Sequence, residues 1–100
     1  MSRYVLSEEA LIELDEIWGY ISQGNPNAAD EWIEKLLDAC DTIARNPRLG
    51  HKRADITDKS VLFWPVNTYL IVYRVNPDHI EVLAVTQGSR DIPSYLRRRT

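Results

Sequence analysis

Five cations are the residues best suited to bind or stabilise an anion. Arg48, Lys52 and Arg53 fall in RLGHKR, Arg74 falls inside the apolar run YLIVYRV, and Arg90 falls in VTQGSRDI. An arginine within a sheet is costly unless it is paired or aimed at a ligand. Converging guanidinium groups grip phosphates or carboxylates through forked hydrogen bonds, and can offset charge that develops as a phosphodiester breaks. Cleavage would also need a proton donor and acceptor, for which His51, His79 and Tyr95 are the available groups, none in a favourable local context. Arg90 has two open roles: target binding, or pairing with Asp91 or a helix acid to fix the strand end.

Other chemistries find no support. Two histidines without an acidic partner at ligand spacing do not make a metal site. The four glycines are scattered, so no phosphate-cradling loop is expected, and neither metal nor cofactor is called for. Cys40 is the single cysteine and lies on an apolar helix stripe, which predicts a core thiol rather than a disulfide or a nucleophile.

The elements that must position these cations follow from pattern and punctuation. YVLS (4–7) is a short strand ended by Ser7, an N-cap whose helix begins with Glu8 and Glu9. Leu11, Leu14, Trp18 and Ile21, widened by Ala10 and Ile17, predict an amphipathic helix of about 15 residues. Gly24 stops it, Asn25 caps the next helix, and Pro26 occupies its first position. Ala29, Trp32, Ile33, Leu36, Cys40, Ile43 and Ala44 form the second stripe, which RNP at 45–47 ends. So short a connection implies an antiparallel hairpin, with Trp18 and Trp32 in its core.

A polar loop carrying Arg48, His51, Lys52, Arg53 and Lys59 leads to three strands: VLFWPV (61–66), YLIVYRV (69–75) and IEVLAVTQ (80–87). Asn67-Thr68 is a two-residue hairpin loop, and Pro65 marks its strand as an edge. The expectation is one domain over 1–100 in the α+β class: β-α-α-β-β-β, a helix hairpin on one face of a mainly antiparallel four-stranded sheet. Strict alternation groups Val82 with Ala84 on one face of the last strand and Leu83 with Val85 on the other. Both faces of the central strands are then apolar, while two helices cover only one. The segment 92–100, a second copy or a partner segment must shield the other.

Charge is divided along the chain. Residues 1–44 hold two cations against ten acids, a net of −8, and residues 45–100 hold ten against five, a net of +5. Such a split suggests two faces with different partners. With no signal peptide and no apolar run of membrane-spanning length, a reducing, cytoplasmic location is expected.

The stretch ELDEIWGYISQGNPNAADEWIEKLLDACDTIARNPRLGHKRADI, followed by VNTYLIVYRV and IEVLAVTQGSRDI, resembles the ParE toxins of the RelE/ParE superfamily over roughly residues 4 to 96. The most specific pieces are NPNAAD, NPRLGHKR, YLIVYRV and GSRDI, taken in that order and spacing. The resemblance implies the same β-α-α-β-β-β fold and a cognate, ParD-like antitoxin that wraps the toxin. It also implies one of two activities. RelE-like members cut messenger RNA on the ribosome, and here Arg53, Arg74, Arg90 and Tyr95 stand at positions such a nuclease would use. ParE-like members are associated with inhibition of DNA gyrase, and the ending DIPSYL is ParE-like. On that reading no residue is catalytic, and Arg48, Lys52, Arg53, Arg74 and Arg90 bind target or antitoxin.

Overall fold

A computed structural model describes residues 3–53, 55 and 60–88. Arg90, Tyr95 and the segment 92–100 lie outside the described residues. The elements run β1 (Tyr4–Leu6), α1 (Glu8–Ser22), α2 (Pro26–Arg45), β2 (Leu62–Val66), β3 (Tyr69–Val75) and β4 (Ile80–Gln87). The sheet order is β1-β4-β3-β2. β1 pairs parallel with β4, and the remaining pairs are antiparallel. This is the expected α+β architecture.

The local signals do what their chemistry requires. The Ser7 hydroxyl accepts from the Ala10 amide at 3.0 Å and donates to the Leu83 carbonyl at 3.0 Å, so one residue caps α1 and ties its start to β4. The Asn25 side chain accepts from the Ala28 amide at 3.1 Å, with Pro26 in the first turn of α2. The helices are antiparallel: Trp18, four residues before the end of α1, donates its indole N–H to Asp30, early in α2, at 2.8 Å. Asn67 has φ of +55°, the left-handed conformation that a tight two-residue hairpin loop demands.

β2 is an edge strand, as Pro65 indicates. The amide and carbonyl of Phe63 point away from β3 and exchange 2.9 Å bonds with His51. Alternation places the Pro65 nitrogen on that same outer edge, where it has no proton to offer. The edge is therefore blunted against further strand pairing.

Three expectations are corrected. The first concerns α1, whose buried face is Ala10, Glu13 and Leu14, while Leu11 is 54 % exposed. The second is Trp18, which is 39 % exposed and bridges the helices at the surface instead of filling their core. The stripe Ala10–Leu14–Ile17–Ile21 has the same 3–4 spacing as Leu11–Leu14–Trp18–Ile21, and contact with β4 selects the former. Trp32, by contrast, is half-buried and sets its ring edge-on to Tyr69 at 5.4 Å.

The third correction concerns β4. Val72 pairs with Ala84 but Tyr73 pairs with Val82, so Leu83 is an extra residue, a β-bulge. The bulge shifts the phase of the strand. Val82 and Val85 join the helix-facing core with Ile71, Tyr73, Leu36 and Ile43, whereas Ala84 and Leu83 face the other side with Val72 and Leu70. That second face is not left open: Val61, Phe63, Val72 and Ala84 are buried within the chain itself. Neither a second copy nor a partner is needed to shield them. Thr86, level with Leu70 across the strands, is also buried there, and its hydroxyl finds no hydrogen-bond partner among the described residues.

A buried hydroxyl without a partner costs stability. Thr86→Val, nearly isosteric, is expected to raise stability by about 1 kcal/mol, read as a higher urea midpoint. An unchanged or lower midpoint would show that the hydroxyl is satisfied.

Candidate functional site: a basic loop latched to the sheet

The loop after α2 is held by one buried phenol. Tyr73 is fully buried on β3; its hydroxyl donates to the Pro47 carbonyl at 2.7 Å and accepts from the Gly50 amide at 2.8 Å. Burial pushes its pKa up, opposed by the Gly50 amide, so the phenol stays protonated and keeps its donor role. Gly50 is required by space alone: a Cβ there would lie 2.7 and 2.8 Å from ring carbons Cε1 and Cζ of Tyr73. At the next residue, the His51 backbone bridges to Phe63, and its ring stacks on Trp64 at 6.3 Å. Arg48, His51 and Lys52 of this loop are all exposed, and the His51 backbone fixes the loop to the β2 edge.

The predicted cations are not equivalent. Arg53 forms a two-pronged bond to Asp55, Nε to Oδ1 at 3.0 Å and Nη2 to Oδ2 at 2.8 Å. That bond raises the guanidinium pKa and holds the Asp55 carboxyl below the usual carboxylate range. Arg74 meets its cross-strand neighbour Glu81 at 2.9 Å, which answers why a cation is tolerated within the sheet. Arg48 and Lys52 have no acid within ion-pair distance among the described residues. Lys52 and Val75 share the rim of a shallow cavity of about 250 Å³ with Ser60, Val61 and Leu62, so the loop reaches the end of β3. The structure therefore gathers Arg48, Lys52 and Arg53 on one loop and sets Arg74 on the adjoining sheet, while Arg90 lies outside the described residues.

Among the described residues the two histidines sit on different elements. His79 sits in the β3–β4 turn, its Nδ1 2.7 Å from Asp78 and its Nε2 3.2 Å from Asn76. The hydrogen bond from His79 lowers the Asp78 pKa. His51 lies beside the β2 edge, its ring on Trp64. The Cys40 thiol is 1 % exposed and pushed up to about 12 by burial, so it is not a nucleophile. Among the described residues no group of three or more His, Cys, Asp or Glu could hold a metal, and no helix is long and apolar enough to cross a membrane.

Two participants were not read from the sequence. Tyr73 reads as an alternating core aromatic, and only tertiary proximity reveals its bonds to Pro47 and Gly50. Glu13 is an acid at 8 % exposure whose carboxylate accepts from the Val85 amide at 2.9 Å. It serves a β4 donor beyond the end of the three-residue β1. Its position six residues after the N-cap Ser7, on the same side as Ala10 and Ile17, was the available signal.

The family model for the ParE toxin of the parDE type II toxin–antitoxin system matches residues 4–92. The chain belongs to the ParE toxin family. It is 29 % identical over 97 residues to toxin ParE1 of Mycobacterium tuberculosis, an alignment spanning 95 % of this chain and 98 % of that protein. It is 30 % identical over 87 residues to the Y4kP protein of Sinorhizobium fredii, spanning 87 % and 88 % respectively. A chain from the chromosomal ParDE toxin–antitoxin system of P. aeruginosa superposes with a TM-score of 0.73, covering 87 % of this chain and 96 % of that one at 17 % identity. That likeness is one of fold. As a ParE-type toxin, the protein joins the helix hairpin and sheet of its family to a basic loop held at the β2 edge.

Proposed function

We propose that this ParE-type toxin acts by binding rather than by cleaving, as an inhibitor of DNA gyrase held in check by a ParD-like antitoxin in a hetero-oligomer. Family membership supports the toxin role. The observation carrying the non-nuclease reading is that both described arginines of the nuclease set are already committed, Arg53 to Asp55 and Arg74 to Glu81. A cation paired in this way has little left for a developing phosphate charge. The residues assigned to binding target or antitoxin are Arg48, Lys52, Arg53, Arg74 and Arg90, with Arg48 and Lys52 foremost. A net charge of −3 argues against sequence-specific DNA binding by this chain. The place of action is the bacterial cytoplasm.

The test pairs a purified gyrase supercoiling assay with a messenger cleavage assay on ribosomes, each run on wild type and Tyr95→Phe. Inhibited supercoiling, no cleavage and little effect of Tyr95→Phe are expected. Codon-phased cuts that fall roughly 100- to 10,000-fold in Tyr95→Phe, the loss typical of a missing proton-transfer group, would replace this reading with the ribosome-dependent nuclease.

A further inference from the structure

The cavity of about 250 Å³ beside the basic loop is lined, among the described residues, by Lys52, Ser60, Val61, Leu62 and Val75. Backbone pairing forms it: His51 bridges to Phe63 in antiparallel register, which carries Lys52 past Leu62. Its walls are branched apolar side chains, from the buried Val61 and half-buried Leu62 to Val75, which is 48 % exposed at the end of β3. Small-molecule sites begin at roughly 300 Å³, so this cavity suits a side chain or two of a longer ligand. Lys52 has no acid within ion-pair distance among the described residues. Asp55, the acid nearest to it along the loop, has both oxygens on Arg53, at 3.0 and 2.8 Å. The Ser60 hydroxyl makes no hydrogen bond among the described residues, and no described lining residue is an acid.

An ammonium at the rim disfavours a cation, and a purely polar anion gains nothing from apolar walls. The chemistry that gains from both is a carboxylate beside a branched apolar group. We propose that this cavity is a docking point for an acidic peptide segment in which a carboxylate side chain neighbours a branched apolar one. The apolar side chain packs against Val61, Leu62 and Val75, and the carboxylate meets the Lys52 ammonium, with the Ser60 hydroxyl as a second donor. The proposal rests on the reading of the basic loop as a protein-binding surface, and not on gyrase being the target. It also separates Lys52 from Arg48, which is not among the lining residues.

The test titrates the acetylated, amidated tripeptide Glu-Ile-Glu into the full chain and follows the Leu62 and Val75 amide signals by two-dimensional NMR. Gln-Ile-Gln, without the charge, and Glu-Ala-Glu, without the branched side chain, are the controls. Saturable binding of Glu-Ile-Glu is expected, with both controls weaker. Lys52→Gln is expected to weaken it about two- to fivefold, the worth of an exposed ion pair. Arg48→Gln should do less, and Val75→Ala should weaken it about twofold or more through lost apolar contact. Lys52 and Val75 are both exposed, so these variants keep the fold. No saturable binding, equal binding of either control, or binding indifferent to Val75→Ala overturns the proposal. So does a loss in Arg48→Gln as large as in Lys52→Gln, which would leave only diffuse attraction to the loop. A chain that fails to bind the tripeptide yet inhibits supercoiling refutes the cavity and leaves the proposed function standing; one that binds it without inhibiting does the reverse.

Discussion

Gly50→Ala is expected to melt roughly 4–20 °C below wild type, the consequence of about 1–3 kcal/mol in a domain of this size. A β-carbon at residue 50 would meet ring carbons of Tyr73 at 2.7 and 2.8 Å. The ring cannot retreat, because Tyr73 is fully buried in the helix-facing core beside Ile71 and Val82. Overpacking at such a site costs about 1–3 kcal/mol. Moving the loop instead breaks the phenol's bonds to Pro47 and Gly50, at about 1–3 kcal/mol for each buried group left unsatisfied. Either route consumes a large part of the 5–15 kcal/mol typical of a folded domain.

Tyr73→Phe removes the hydroxyl and frees the loop without the clash, so it is expected to be milder. The double variant should be less destabilised than the two singles combined, since the same contact is lost in each. Thermal melts of the four proteins check this. A Gly50→Ala melt within 2 °C of wild type would mean that the latch is not the feature holding the basic loop.

The second large effect concerns association with the proposed antitoxin. Replacing both Arg48 and Lys52 by glutamate is expected to slow association by about tenfold or more at low salt and to flatten its salt dependence, since exposed charges act mainly on encounter. Arg53→Gln should do less, because Asp55 already balances that guanidinium at 2.8 Å. Dissociation rates should change little in either case. Stopped-flow binding at two ionic strengths separates these outcomes. Equal effects of the double variant and Arg53→Gln would show that ion pairing on the loop does not decide which cations face the partner.

The chain's local grammar was legible in its residues. Ser7 and Asn25 cap because their side-chain oxygens reach amides within one turn, Pro26 starts a helix because its missing proton costs nothing there, and Asn67 turns a hairpin because it tolerates a positive φ. Each depends on neighbours a few positions away, so the element order and its α+β class followed, as did family membership through NPNAAD, NPRLGHKR and GSRDI in series. The tertiary structure decided what depends on distant partners. Two helical stripes with equal spacing competed in α1, and contact with β4 chose the one running through Ala10 and Ile17, which put Leu11 and Trp18 outside. Leu83 is a bulge in the pairing of β4 with β3, and that one added residue reversed the facing of Ala84 and Val85. The five cations looked alike as letters. Asp55 and Glu81 distinguished Arg53 and Arg74 from Arg48 and Lys52, and those pairings depend on how the loop and strands are brought together, which side-chain type alone does not encode.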